Sequence, residues 1–102
     1  MTSTFFLPAG LAMPSIATVA EELRAQPLGG EVVLDASALT APDLSVVQLL
    51  LSLRAEARSQ GGDVRLSAPA GEALTALLHR GGFTDAMSPD DNAFWFHGVP
   101  LQ

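Results

Sequence analysis

Short apolar runs bounded by proline or glycine alternate along this chain with stretches whose apolar residues recur every three or four positions. This alternation restricts the fold strongly. Strands that alternate with helices through short connections pair in parallel, by right-handed crossovers. Thr4 to Leu7 (TFFL) is aromatic and is halted by Pro8 and Gly10, as a strand would be. Pro14 and Ser15 supply helix-start chemistry. Ile16, Val19, Ala20 and Leu23 then share one face, with Glu21 and Glu22 on the other, and Pro27, Gly29 and Gly30 end the helix near Gln26. Glu31 to Asp35 (EVVLD) is β-branched and apolar, which predicts a strand buried on both faces.

Asp43, after Pro42, is placed to cap a second helix that runs through Val46, Val47, Leu49, Leu50, Leu51, Leu53, Ala55 and Ala57 to the stop at Gly61-Gly62. Asp63 to Ser67 (DVRLS) reads as the next strand. Pro69 suits the first turn of a third helix carrying Leu74, Leu77 and Leu78, with Gly81 at its end. Ser88 to Asn92 (SPDDN) reads as a turn. Asn92 to His97 (NAFWFH) alternates aromatics, predicting a final edge strand with Phe94 and Phe96 inward and Trp95 on the opposite face, a contact for a partner or a second copy if exposed. The expected fold is thus α/β, in the order β-α-β-α-β-α-β. One domain over residues 1–102 holds a central four-stranded, mostly parallel or mixed sheet with about three helices.

Composition narrows the function. Hydrophobic residues make up 48% of the 102 and charged residues 16%, so a packed core forms rather than a disordered chain. Without cysteine there is no disulfide, thiolate nucleophile or Cys-bound zinc. The five basic residues (Arg24, Arg54, Arg58, Arg65, Arg80) are scattered against 11 acidic ones, giving −6 overall, which argues against nucleic acid and anionic membranes as partners. The uncharged N-terminal stretch lacks a basic n-region and is broken by Pro8 and Pro14, so it does not read as a signal peptide, and no run is long enough to span a bilayer. A soluble, cytoplasmic domain is expected.

Catalytic groups are sparse. There is no lysine, no Ser-His-Asp spacing and no phosphate-cradling glycine motif, so a non-enzymatic protein without cofactors is expected. His79 and His97 lack carboxylate partners at helical spacing, and a metal role is not expected of either. Polar residues do concentrate between Asp35 and Ser45. From there Ser45, Gln48, Ser52, Glu56 and Ser59 form a polar stripe on an otherwise apolar helix, the face expected to meet solvent or a partner.

From Glu31 to Phe83 the chain resembles a STAS domain, the module of bacterial anti-sigma factor antagonists and of related transport and chemotaxis subunits. EVVLDAS reads as the strand, followed by an aspartate just before the helix and then DLSVVQLLLSLRAEARSQGGDVRLSAPAGEALTALLHRGGF. The family's most specific element is an Asp-Ser-Ser-Gly or Asp-Thr-Gly-Gly-like motif opening the second helix, its third position being the phosphoacceptor of the antagonists. Here the matching residues are Asp43-Leu44-Ser45-Val46. By resemblance Ser45 is the phosphorylation site, and Asp43, Leu44, Ser45, Val46, Gln48 and Ser52 form the partner-binding surface. The partner would be an anti-sigma factor with serine-kinase activity or another signalling or transport subunit. Leu44 replaces a hydroxyl residue, and Val46 replaces a glycine whose absence is expected to obstruct close approach. The extra N-terminal strand common in the family is missing, and the chain is expected to end in a strand where many relatives have a helix.

Two alternatives belong beside this. One is a constitutive STAS subunit of a chemotaxis or lipid-transport assembly, without a phospho-switch. The other is a small-ligand carrier that uses a helix N-terminus as an anion site. A homodimer is compatible with the pattern.

Overall fold

Three β-branched or aromatic runs form the sheet, and in each the apolar side chains of one face enter the core. A computed structural model describes residues 2–26, 28–85 and 87–98. Strand β1 spans Thr2–Phe6, and a 3-10 turn at Met13–Ser15 leads into helix α1 (Ile16–Arg24). Strand β2 (Glu31–Asp35) is followed by α2 (Leu44–Ser59), β3 (Asp63–Leu66), α3 (Glu72–Arg80) and α4 (Pro89–Phe96). The three strands are parallel in the order β1-β2-β3, with Thr4 opposite Val33 and Val33 opposite Arg65.

Because both crossovers step the same way across the sheet, right-handedness puts α1 and α2 on one side. The core gathers there. Val32, Leu34, Val64 and Leu66 from the sheet join Leu23 of α1, Leu50 and Leu53 of α2 and Leu78 of α3, all at most 1% exposed. Among the described residues no helix is long and apolar enough to cross a membrane.

Two glycines carry the reversal from α2 into β3. Gly61 takes φ +83°, a left-handed conformation that other residues rarely adopt. A Cβ on Gly62 would fall 2.0 Å from the Leu28 carbonyl oxygen and 2.3 Å from that of Gly30, so the chain passes here at backbone-to-backbone range.

The fourth strand expected at Asn92–His97 is a helix, and the order is β-α-β-α-β-α-α with a three-stranded, wholly parallel sheet. The reason lies in SPDDN, which is a helix start rather than a turn. The Ser88 hydroxyl accepts the Asp91 N–H at 3.1 Å, Pro89 occupies the first turn, and Asp90 and Asp91 sit at the positive end of the dipole. Both aspartates are held by α2: Arg54 bonds Asp91 at 2.7 Å, and Arg58 bonds both Asp90 oxygens at 2.7 and 3.0 Å. The Arg58 guanidinium holds the Asp90 carboxyl below its ordinary range.

Phe94, Trp95 and Phe96 are all buried, so Trp95 does not face away from the core and is no partner contact. The Arg54 guanidinium lies 4.8 Å above the Phe94 ring, and the Trp95 carbonyl accepts the Ala70 N–H at 2.7 Å. The expected departure from the family at the C-terminal end thus disappears. One smaller correction concerns α3. Pro69 precedes that helix, whose N-cap is Gly71, instead of occupying its first turn.

Candidate functional site

The start of α2 is built around one carboxylate. Asp43 has extended backbone angles and caps the helix. Its Oδ1 accepts the Ser45 N–H at 3.0 Å and also the Ser45 hydroxyl, while its carbonyl accepts the Val46 N–H at 3.0 Å. Its Oδ2 accepts the Met13 N–H at 2.9 Å, a bond that spans 30 positions of sequence. The Ser45 hydroxyl, followed by the Met13 amide, holds the Asp43 carboxyl below its ordinary value, so the group is ionised at neutral pH.

The neighbouring loops fix this arrangement. The Thr40 N–H and hydroxyl both donate to the Ala9 carbonyl, at 3.2 and 3.1 Å, and tie the β1–α1 connection to the β2–α2 connection. Met13, 67% exposed, and Leu44, 46% exposed, therefore flank Asp43, and Leu44 lies against Gly81 at the end of α3. Ser45 is half-buried, with its hydroxyl directed back to Asp43.

Of the six residues expected at the partner surface, Leu44, Gln48 and Ser52 are exposed and Asp43 and Ser45 are half-buried. Val46 is not part of that surface. It is 0% exposed and belongs to the core, so the side chain that replaces the family's glycine points inward and does not obstruct approach from outside. Met13 is the residue that reading the sequence left out. The rest of the polar stripe lies on the outer side of α2, where Glu56 accepts a 3.1 Å hydrogen bond from Arg24 of α1.

The anion site imagined at this helix start is filled from within, since Asp43 takes the free amide of Ser45. A separate cleft of about 440 Å³ lies between Ala36, Ser37 and Leu39 on one side and Gly71 to Leu74 on the other. Glu72 stands in the first turn of α3 at that cleft. Asp35 is kept ionised beside it by the Ser37 hydroxyl at 2.5 Å and the Ser37 N–H at 2.9 Å. His79 meets the Thr84 hydroxyl at 2.8 Å, and the His97 ring donates from Nε2 to the Leu66 carbonyl at 2.9 Å. No cluster of three or more His, Cys, Asp or Glu suited to a metal occurs among the described residues.

Residues 10–89 match a family model described as "Mlab, STAS domain", a span that takes in the Asp43 cap, α2 and the cleft. No curated protein and no solved structure gives a significant match. Because the family model covers well over half of the chain, including the helix start described above, the chain belongs to the STAS domain family.

Proposed function

We propose that this protein is a non-enzymatic, cytoplasmic docking module that presents the start of α2 to a protein partner, with Ser45 as the switchable residue. The observation that carries the reading is the Asp43 cap, which holds the Ser45 hydroxyl at a helix N-terminus between the exposed apolar side chains of Met13 and Leu44. Apolar anchors ringed by polar groups suit a protein surface better than a small ligand. The partner is an anti-sigma factor with serine-kinase activity or a related signalling subunit, as the family resemblance implies.

The switch follows from charge. A phosphoryl group on Ser45 converts the hydroxyl that donates to Asp43 into a group carrying about −1.5 to −2, directly beside an ionised carboxylate. The helix N-terminus tolerates that charge, so the domain stays folded. Asp43, however, is repelled from its place between Ser45 and the Met13 amide, and the Met13–Leu44 surface changes shape.

Incubation with the cognate kinase and ATP, read by mass spectrometry, tests this. Phosphate on Ser45 is expected, and its absence removes the switch. Binding lost in Asp43→Ala and kept in Arg80→Ala is expected for the docking face, and the reverse result overturns it.

A second reading, a constitutive STAS subunit of a chemotaxis or lipid-transport assembly, is favoured by the same Met13–Leu44 pair, because exposed apolar side chains suit a permanently covered interface. Purification from the native source separates the two. Recovery with an anti-sigma kinase alone counts against the constitutive reading.

A further inference from the structure

The sheet has a second face, and among the described residues the helices leave it open. Register places Thr4 and Phe6 of β1, Glu31, Val33 and Asp35 of β2, and Asp63 and Arg65 of β3 on the side opposite the core. Thr4, Asp63 and Arg65 are exposed, and Phe6, at 71%, is the most exposed large apolar side chain of the described residues. Val33 is 7% exposed yet stands outside the core cluster. Its neighbours within the sheet shield it, with Thr4 and Arg65 on either side and Arg65 turned toward Glu31 at 3.3 Å. Parallel sheets are almost always covered on both faces, which makes a one-sided one an incomplete layer.

From this geometry we infer that the open face docks a basic amphipathic helix from a partner protein, with Phe6 as its anchor. This surface is distinct from the start of α2. Size and charge both argue for that occupant. Strands about 4.8 Å apart put β1 and β3 roughly 10 Å from each other, the width of one helix with its side chains. Around the Phe6–Val33 patch stand the carboxylates of Glu31, Asp35 and Asp63; Arg65 answers Glu31 at 3.3 Å, and Arg58 of α2, which Asp90 shares, reaches Asp63 at 3.3 Å, so the rim keeps an acidic excess. A second copy would set these carboxylates against their own equivalents in a chain of net charge −6, and nucleic acid or an anionic bilayer would be repelled outright. A helix with an apolar stripe flanked by Lys or Arg meets both the ring and the charges.

The probe is a synthetic peptide of about 18 leucine and lysine residues at helical spacing, long enough to form a helix on the surface. It is titrated into the ¹⁵N-labelled full chain. Amide shifts are expected to concentrate at Thr4 to Phe6, Val33 and Arg65. Phe6→Ser should weaken binding about tenfold, the loss of one anchoring aromatic, while Gln60→Ala leaves it unchanged. The exposure of Phe6 keeps Phe6→Ser folded, and its thermal midpoint checks this. Shifts spread over the acidic surface with no dependence on Phe6 would overturn the proposal. So would shifts centred on α2, or a dimer in sedimentation that Phe6→Ser dissolves. Failure of the Phe6 face leaves the docking of a partner at Ser45 untouched.

Discussion

Replacing Trp95 with alanine removes the largest fully buried side chain of the described residues. The indole is 1% exposed on α4 and meets the Phe94 ring edge-on, with centroids 4.7 Å apart. Burying an indole withdraws roughly 200 Å² from water, or ~5 kcal/mol at about 25 cal/mol per Å². That is an upper bound, because alanine keeps part of the area and the unfolded chain already hides some of it. The edge-on ring pair contributes about 1 kcal/mol more. Trp95→Ala is therefore expected to cost about 4 kcal/mol, within the usual range for a buried tryptophan. For a domain of this size that is a large part of a total stability of roughly 5–15 kcal/mol. Urea unfolding followed by circular dichroism reads it directly. With a slope of about 1–2 kcal/mol per M, the midpoint should fall by roughly 2–4 M. A cost below about 1 kcal/mol would place Trp95 on an outer face, as aromatic alternation along a strand would have it, and would refute the packing of α4.

Gly62→Ala should destabilise by at least about 1–3 kcal/mol in the same assay, since its Cβ has only backbone carbonyls to displace; an unchanged midpoint would contradict the close passage at residues 28–30. Arg54→Ala should cost more than Arg58→Ala, about 1.5–3 kcal/mol, because Arg54 is 12% exposed against 42% and lies over Phe94; equal effects would count against the α2–α4 clamp. The carboxyls of Asp35, Asp43 and Asp90 are all held below 3.8, so the stability they confer is complete above that unfolded value and is lost as pH falls through the lower folded values. Thermal midpoints should be flat above about pH 5 and fall below about pH 4, less steeply in Asp90→Asn, whereas a midpoint that rises on acidification would reverse the assigned sign. The Met13 amide should be protected from hydrogen exchange and lose roughly tenfold of that protection in Asp43→Ala; equal rates would remove the tether.

What could be read from the chain was whatever is written locally. EVVLD marks β2 to the residue, and Asp43 announces α2 because its side chain serves an amide only two positions on. The C-terminal stretch misleads because three successive aromatics carry no period. A run of two in-facing residues around one out-facing residue suits a strand, yet α4 is wedged between α2 and the β3–α3 loop and buries all three. Its true signal was the Ser88-Pro89-Asp90-Asp91 start, which has the chemistry of a cap and reads as a turn when its aspartates are taken without Arg54 and Arg58. The site divides the same way. Asp43 and Ser45 were legible, whereas Met13 reaches them only through a crossover and leaves no local trace. Val46 illustrates the limit of a motif position, since its place beside Ser45 in sequence says nothing of the 100° turn of helix that sends it into the core.

The docking face proposed at the start of α2 is tested most directly by photo-crosslinking in the producing cell, with a benzophenone amino acid placed at Gln48 or Ser52 and, as the comparison, at Arg80. All three positions are exposed, so the probe leaves the fold intact. One discrete crosslinked protein is expected at Gln48 and Ser52 and none at Arg80, with the band lost on Asp43→Ala. A discrete partner captured at Arg80 and at neither α2 position would contradict the account.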